Sequence, residues 1–250
     1  MKKLILLTVF LFCKLLLPAQ ALVGTTGLLS LPSADMQDEG TVMAGGTCLN
    51  RHINPSSFSY TTYNYYFNAT VLSFLEVSFS KTLFKLEIPN NPAASNRFNN
   101  ADRSLSGRIR LLKESKAVPA LVLGMNDIYS QSNEDFMGDN TQSQFFGKMY
   151  LALKKSFVID KIGIIEGHLN YQYQSNFDKD LYKGWGTAIA FRPSSYQDLQ
   201  LISEYEVSRH NWNNGFNVHL FHYLFGQVIL QNGKYFSGGL AIRIKLQPIN

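Results

Sequence analysis

The stretch Ile165-Glu166-Gly167-His168-Leu169-Asn170-Tyr171-Gln172-Tyr173-Gln174 sets Ile165, Leu169, Tyr171 and Tyr173 on one side and Glu166, His168, Asn170, Gln172 and Gln174 on the other. Alternation with a period of two residues marks a β-strand whose faces meet different environments. The polar side here carries charge and amides rather than merely small residues. The same pattern recurs in Val71, Leu75, Val77 and Phe79 against Glu76, Ser78 and Ser80, and in Met149, Leu151 and Leu153 against Lys148 and Lys154. It recurs again in Leu199, Leu201, Tyr205 and Val207 against Gln200, Glu204, Glu206 and Ser208, and in Leu240, Ile242, Ile244 and Leu246 against Arg243, Lys245 and Gln247.

Turn signals separate these runs: Asn90-Asn91-Pro92, Asn99 to Asp102, Gly138-Asp139-Asn140, Arg192 to Ser195, Asn213-Asn214-Gly215 and Asn232-Gly233. The runs between them predict about twelve strands, starting near Thr41, Phe58, Thr70, Ser104, Pro119, Phe145, Lys161, Leu181, Asp198, Gly215, Gly226 and Gly238. No heptad or strand–helix alternation competes with this all-β reading.

The ends and the composition narrow the class. Met1-Lys2-Lys3, the apolar run Leu4 to Leu17 and Ala19-Gln20-Ala21 read as a secretory signal peptide over residues 1–21, with residues 22–250 forming one β-barrel domain. Cys13 follows Phe12, too large for a lipobox, so it reads as a signal-peptide residue. Without Lys2, Lys3 and Lys14 the formal charge of +5 falls to 20 Lys+Arg against 18 Asp+Glu, which removes any argument for nucleic acid as a partner. Cys48 is then the one remaining cysteine and forms no intrachain disulfide. Beyond residue 21 no apolar run approaches the roughly 18 residues of a membrane helix. The chain is 45% hydrophobic and 16% charged with a mean hydropathy of −0.09, a folded composition without apolar blocks.

Two architectures share this pattern. A soluble periplasmic β-sandwich turns its apolar faces to a common core, whereas an outer-membrane barrel turns them to lipid and its polar faces to a lumen. Runs as long as Thr70 to Phe84 and Lys161 to Gln174 exceed the usual soluble strand. Aromatics also gather at strand ends, at Tyr60 to Phe67, Phe145-Phe146 and Tyr171 to Tyr173, where a membrane girdle would lie. Against this, the chain ends Leu246-Gln247-Pro248-Ile249-Asn250 rather than on the aromatic residue common in such barrels. The expectation is an antiparallel transmembrane (outer-membrane) β-barrel of about twelve strands.

Gly27-Leu28-Leu29-Ser30-Leu31-Pro32-Ser33-Ala34-Asp35-Met36, followed by the acidic turn Gln37 to Gly40, resembles the opening of the YjbH-type proteins. These are a Gram-negative envelope family associated with exopolysaccharide production. A second block is similar to the family's strand–turn–strand signature: Asp102 to Leu105, Arg110 to Glu114, Val118 to Leu121 and Gly124 to Ile128. Glu204-Tyr205-Glu206 with Asn213 to Phe216 resembles a later acidic strand and turn. Larger members carry a second barrel-like region for which this chain has no room. The resemblance implies an outer-membrane barrel tied to surface polysaccharide, with outer-membrane lipid, polysaccharide and envelope export proteins as expected partners.

Candidate site residues are charges expected on the lumen face: Arg108 and Arg110 two apart on one strand, Glu114 at the same parity, Asp127 on the next strand, and Glu166, Glu204, Glu206 and Arg243. Two roles are open to them. They form an interior salt-bridge network that rigidifies the barrel, or they line a path for a hydrophilic saccharide, with Arg giving bidentate contacts to carboxylates. Catalytic signals are weak: Ser208, Arg209 and His210, with Glu206, lack a Gly-x-Ser-x-Gly elbow, and His219 and His222 fall on opposite strand faces. No cofactor or metal motif is present. The expected function is a non-enzymatic pore or scaffold in exopolysaccharide production or export, the alternative being a lipid- or glycan-modifying barrel enzyme. Side chains as large as Arg108, Arg110 and Tyr150 bear on whether the bore is open.

Overall fold

The computed structural model of the chain describes residues 24–52, 61–84, 100–131, 147–174, 182–221 and 223–246. Alternation fixes two faces for every strand, and twelve antiparallel strands use that to close a cylinder. They are β1 (Thr41–Leu49), β2 (Thr62–Leu72), β3 (Leu75–Phe84), β4 (Asn100–Leu112), β5 (Ala120–Gln131), β6 (Lys148–Ile159), β7 (Gly163–Gln174), β8 (Tyr182–Pro193), β9 (Leu199–Glu206), β10 (Asn211–Leu220), β11 (Leu224–Gln231) and β12 (Tyr235–Lys245). Each pairs with its sequence neighbour, and β1 pairs with β12, from Thr41↔Lys245 to Cys48↔Gly238. Closure leaves no sheet edge. The soluble sandwich is thereby excluded, and the fold is an antiparallel transmembrane barrel of the outer-membrane type.

The outer wall is apolar. Val77, Phe79, Ile109, Leu151, Ile189, Leu201 and Leu240 stand exposed around the middle. Rings of exposed aromatics bound this band, with Tyr63, Tyr65, Tyr173, Trp185, Trp212 and Phe236 towards one end and Phe74, Phe157, Tyr196, Phe221 and Tyr223 towards the other. Tyr60, Phe145 and Phe146 lie outside the described residues. The short connections 73–74, 160–162, 194–198 and 221–223, with 113–119, share the second end, while the three longest, 50–61, 85–99 and 132–147, share the first. In outer-membrane barrels the end with the shorter connections commonly faces the periplasm.

Three sequence expectations are corrected. Thr70 to Phe84 is a hairpin rather than one strand, since Ser73 and Phe74 turn the chain between the paired Leu72 and Leu75. Asn213-Asn214-Gly215 is no turn but lies within β10, where the chain has already reversed at residues 207–210. Gly215 is required there because a Cβ would run into the Val228 carbonyl and lie 3.1 Å from Leu29 Cδ2. Asn100 to Asp102 likewise belong to β4. The Asn232-Gly233 signal does form a turn: both residues have positive φ, and Lys234 N–H donates to the Gln231 carbonyl at 2.9 Å, which is a type I′ hairpin.

A charge at the middle of the outer wall faces hydrocarbon. Leu240→Arg, at the centre of β12, is expected to destabilise the barrel in vesicles by about 2–4 kcal/mol, and Phe236→Arg, in the aromatic ring, by at most about 1. Denaturant titration followed by Trp fluorescence measures both.

Candidate functional site: a plugged lumen

The segment that precedes β1 fills the barrel. Residues 27–32 form a tight hairpin, closed by the Gly27↔Pro32 bridge and by Leu28 N–H donating to the Leu31 carbonyl at 2.9 Å. Leu28, Leu29 and Leu31 are completely or almost completely buried and pack with Leu49, Ala188, Ala190, Ile202 and Ile229 of the lumen wall. Gly186 makes room for this hairpin, since a Cβ there would lie 2.9 Å from Leu31 Cδ1. Further along, Ala34 packs with Ala120, Val122, Tyr150 and Ala152. The apolar wall patches thus match the apolar residues of the plug.

Its polar groups are matched as well. The Glu204 carboxylate accepts the successive backbone N–H groups of Leu29 (3.2 Å), Ser30 (2.8 Å) and Leu31 (3.2 Å), the Ser30 hydroxyl, and Asn213 Nδ2 at 2.8 Å. Three consecutive N–H groups converging on one anion form a nest, here filled by a side chain of the wall. Glu76 accepts from Thr26 N at 2.7 Å, Thr26 Oγ1 at 2.5 Å and Asn68 Nδ2 at 2.9 Å. Arg108 donates to three plug carbonyls, Thr26, Ser33 (2.8 Å) and Asp35, and stands 4.0 Å from Glu76. Gln227 donates to the Leu28 carbonyl at 2.9 Å and Asn170 to that of Pro32 at 3.3 Å. Asn68 is wholly buried in this network.

A second cluster holds the plug's acid. Asp35 pairs with Lys154, which lies 3.4 Å from Glu166 and 3.7 Å from Glu114. Glu166 also meets Arg192 Nε at 3.4 Å and Gln200 Nε2 at 2.6 Å. Burial alone would raise the Asp35 carboxyl, but the Lys154 ammonium, helped by His168 and Arg192, holds it below the ordinary carboxylate range. Asp35, Glu166 and His168 bring metal-ligating atoms within 4.8 Å of one another. Lys154 already supplies the positive charge those carboxylates require.

The structure therefore brings Arg108, Glu166 and Glu204 from the sequence candidates into contact with the plug or its anchor. Arg110 is only half-buried and turns to the Ser73 carbonyl at the short-turn rim. Glu114 is not on β4, which ends at Leu112, but in the following turn, where it accepts from Ser156 N at 2.6 Å and Oγ at 3.0 Å. Asp127 sits at a bulge of β5 with φ of 56°, and its N–H donates to the Ser106 hydroxyl oxygen at 2.9 Å. Glu206 lies 3.9 Å from Lys148, and Arg243 is buried beside β1. His210 Nδ1 lies 3.1 Å from Tyr205 Oη at the exposed end of β9, and His222 is outside the described residues. The sequence reading missed Asp35, Lys154 and Arg192 as a unit. Asp35 was visible inside the Pro-x-Ala-Asp segment, but nothing in spacing announces a partner 119 residues away.

A family model described as "Exopolysaccharide biosynthesis protein YbjH" (YjbH) matches residues 19–157. The chain belongs to the YjbH family. That match takes in the plug and β1 to most of β6. No curated protein matches the chain by sequence. Among solved structures, the chain is similar to a KdgM porin, at 8% identity and a TM-score of 0.48 over 83% of this chain and 99% of that one. It is also similar to the outer membrane protein Omp33 of Acinetobacter baumannii, at 9% identity and a TM-score of 0.45 over the same shares.

Glu204→Ala removes the acceptor from several buried donors and is expected to weaken the anchorage of residues 28–31 by about 3 kcal/mol. Amide exchange should rise at Leu29, Ser30 and Leu31 while the strands remain protected. Because the folded Asp35 carboxyl is depressed, its ion pair stabilises the plug fully above the unfolded value of about 4 and loses that contribution as the pH falls further. Acidification should therefore release residues 33–37 before the barrel unfolds, and Asp35→Asn should abolish this acid step in exchange measurements.

Proposed function

We propose that this YjbH-family barrel resides in the cell outer membrane and serves surface exopolysaccharide production as a closed, non-catalytic scaffold whose lumen is sealed by residues 24–37. The observation that carries the reading is the plug itself. Its backbone hydrogen-bonds Glu204 and Arg108, and its leucines cover the apolar wall, so these lumen residues are engaged by the protein's own chain. Family membership supports the link to exopolysaccharide, and the apolar wall between aromatic rings supports the membrane. Arg108 and Glu204, two of the lumen charges offered as a saccharide path, serve first as plug contacts. Passage of polymer through this barrel requires the hairpin to leave.

Leaving is opposed mainly by burial. Each of Leu28, Leu29 and Leu31 contributes about 2 kcal/mol, more together than any one hydrogen bond. The experiment follows from this order. In planar bilayers the wild type is expected to show no sustained conductance, whereas Leu28→Ser/Leu31→Ser/Glu204→Ala should open ion-conducting events. In cells, loss of the protein should reduce secreted exopolysaccharide, and Ser208→Ala or His210→Ala should restore it as well as the wild type does. A steady wild-type channel would overturn the sealed resting state. Undiminished polymer in the deletion strain would overturn the polysaccharide role.

A further inference from the structure

Among strand residues whose side chains are described, no acid lies on the outer wall. Glu76, Asp127, Glu166, Glu204 and Glu206 are all buried inside. Two basic residues nonetheless stand side by side on the outside: Lys81 of β3 and Arg103 of β4 are exposed and directly opposed in register. Like charges directly opposite each other on a sheet face repel and destabilise the pairing. Among the described residues neither has an anionic partner. Such a pair is favourable when an anion stands beside it.

Its height identifies the source. The next outward pair towards the barrel's middle is Phe79↔Leu105, within the apolar band, while Tyr65 pairs with Lys81 on the other side, half exposed in the aromatic ring. Lys81 and Arg103 therefore lie where hydrocarbon gives way to headgroups, at the end with the long connections, which is the outer-leaflet side. Ligands reaching this level beside an exposed Tyr and two aliphatic or aromatic neighbours carry both an acyl body and an anionic head. Guanidinium and ammonium groups together suit a phosphate, which accepts from both. A free polysaccharide carboxylate has no means of occupying the apolar surface below.

We infer that Lys81 and Arg103, with Tyr65, form an external clamp for the phosphate of an acylated outer-leaflet lipid, such as the phosphorylated glucosamine lipid of the Gram-negative surface. The inference rests on the outer-membrane placement proposed above. The test uses the full chain refolded in detergent and native mass spectrometry with four probes: diphosphorylated lipid A, the same lipid after enzymatic dephosphorylation, phosphatidylglycerol and inorganic phosphate. Diphosphorylated lipid A should be retained, and Lys81→Ala/Arg103→Ala, which removes two charge-assisted contacts, should reduce its retention by at least about tenfold, the worth of one of them. Lys81→Arg should preserve retention, and Lys183→Ala, elsewhere on the outer wall, should leave it unchanged. Equal retention of dephosphorylated lipid, or an unaffected double variant, would overturn the clamp. Competition by inorganic phosphate or equal binding of phosphatidylglycerol would overturn its assignment to the glucosamine lipid. Heat-modifiable mobility confirms that each variant is a folded barrel. A barrel that fractionates with the outer membrane yet retains no lipid sinks this inference alone, whereas a soluble, heat-unshifted band sinks the membrane reading beneath it.

Discussion

A carboxylate enclosed in a barrel lumen needs donors, because taking its charge out of water costs several kcal/mol. Neighbouring strands cannot supply their backbone N–H groups, which are committed to the ladder. Glu204 is met instead by three successive N–H groups of a hairpin from outside the sheet. The rest of the interior depends on this exchange. A turn buried without partners would itself be unstable, and a barrel with bare Glu76, Arg108 and Glu204 would have to fill with water. Each side satisfies the other, and the polar faces of the strands become the binding surface for the protein's own leading segment.

Two kinds of force divide the labour. Leucine burial gives the plug most of its affinity but little orientation, since the wall patch of Ala188, Ala190 and Ile202 is smooth. Orientation comes from the fork of Arg108, whose nitrogens reach carbonyls on both arms of the hairpin, at Thr26 and at Ser33 and Asp35. A lysine at this position would keep the charge and lose the fork. Small residues complete the fit: Gly186 and Gly215 leave the clearance that Leu31 and Leu29 occupy.

Strand faces were legible because lipid and lumen impose opposite demands on alternate residues, and Glu166, Glu204 and Arg108 are buried. Turns were less legible. Ser73-Phe74 reverses the chain without Gly, Pro or Asn, so β2 and β3 ran together, whereas Asn213 to Gly215 has turn composition for a different reason: Asn213 donates to Glu204 and Gly215 yields space. The plug escaped altogether. Leu-Leu-Ser-Leu has neither a period of two nor of 3.6, and its hydrogen-bond partners on the wall lie 173 to 199 residues downstream, beyond any local pattern. Family resemblance marked the segment, but only the closed sheet gave it a location.

The hairpin's position just ahead of β1 ties occupancy of the lumen to the order of assembly. Its contacts are dealt out along the sheet, to Glu76 on β3, Arg108 on β4, Lys154 on β6, Glu204 on β9 and Gln227 on β11, before β12 returns to β1. The β1–β12 seam is the last pairing the connectivity permits, and it closes next to Gly40, whose carbonyl accepts Leu246 N–H at 2.8 Å. The stopper is therefore rooted at the seam, so that the same junction which finishes the cylinder also fixes the tether by which its contents are held.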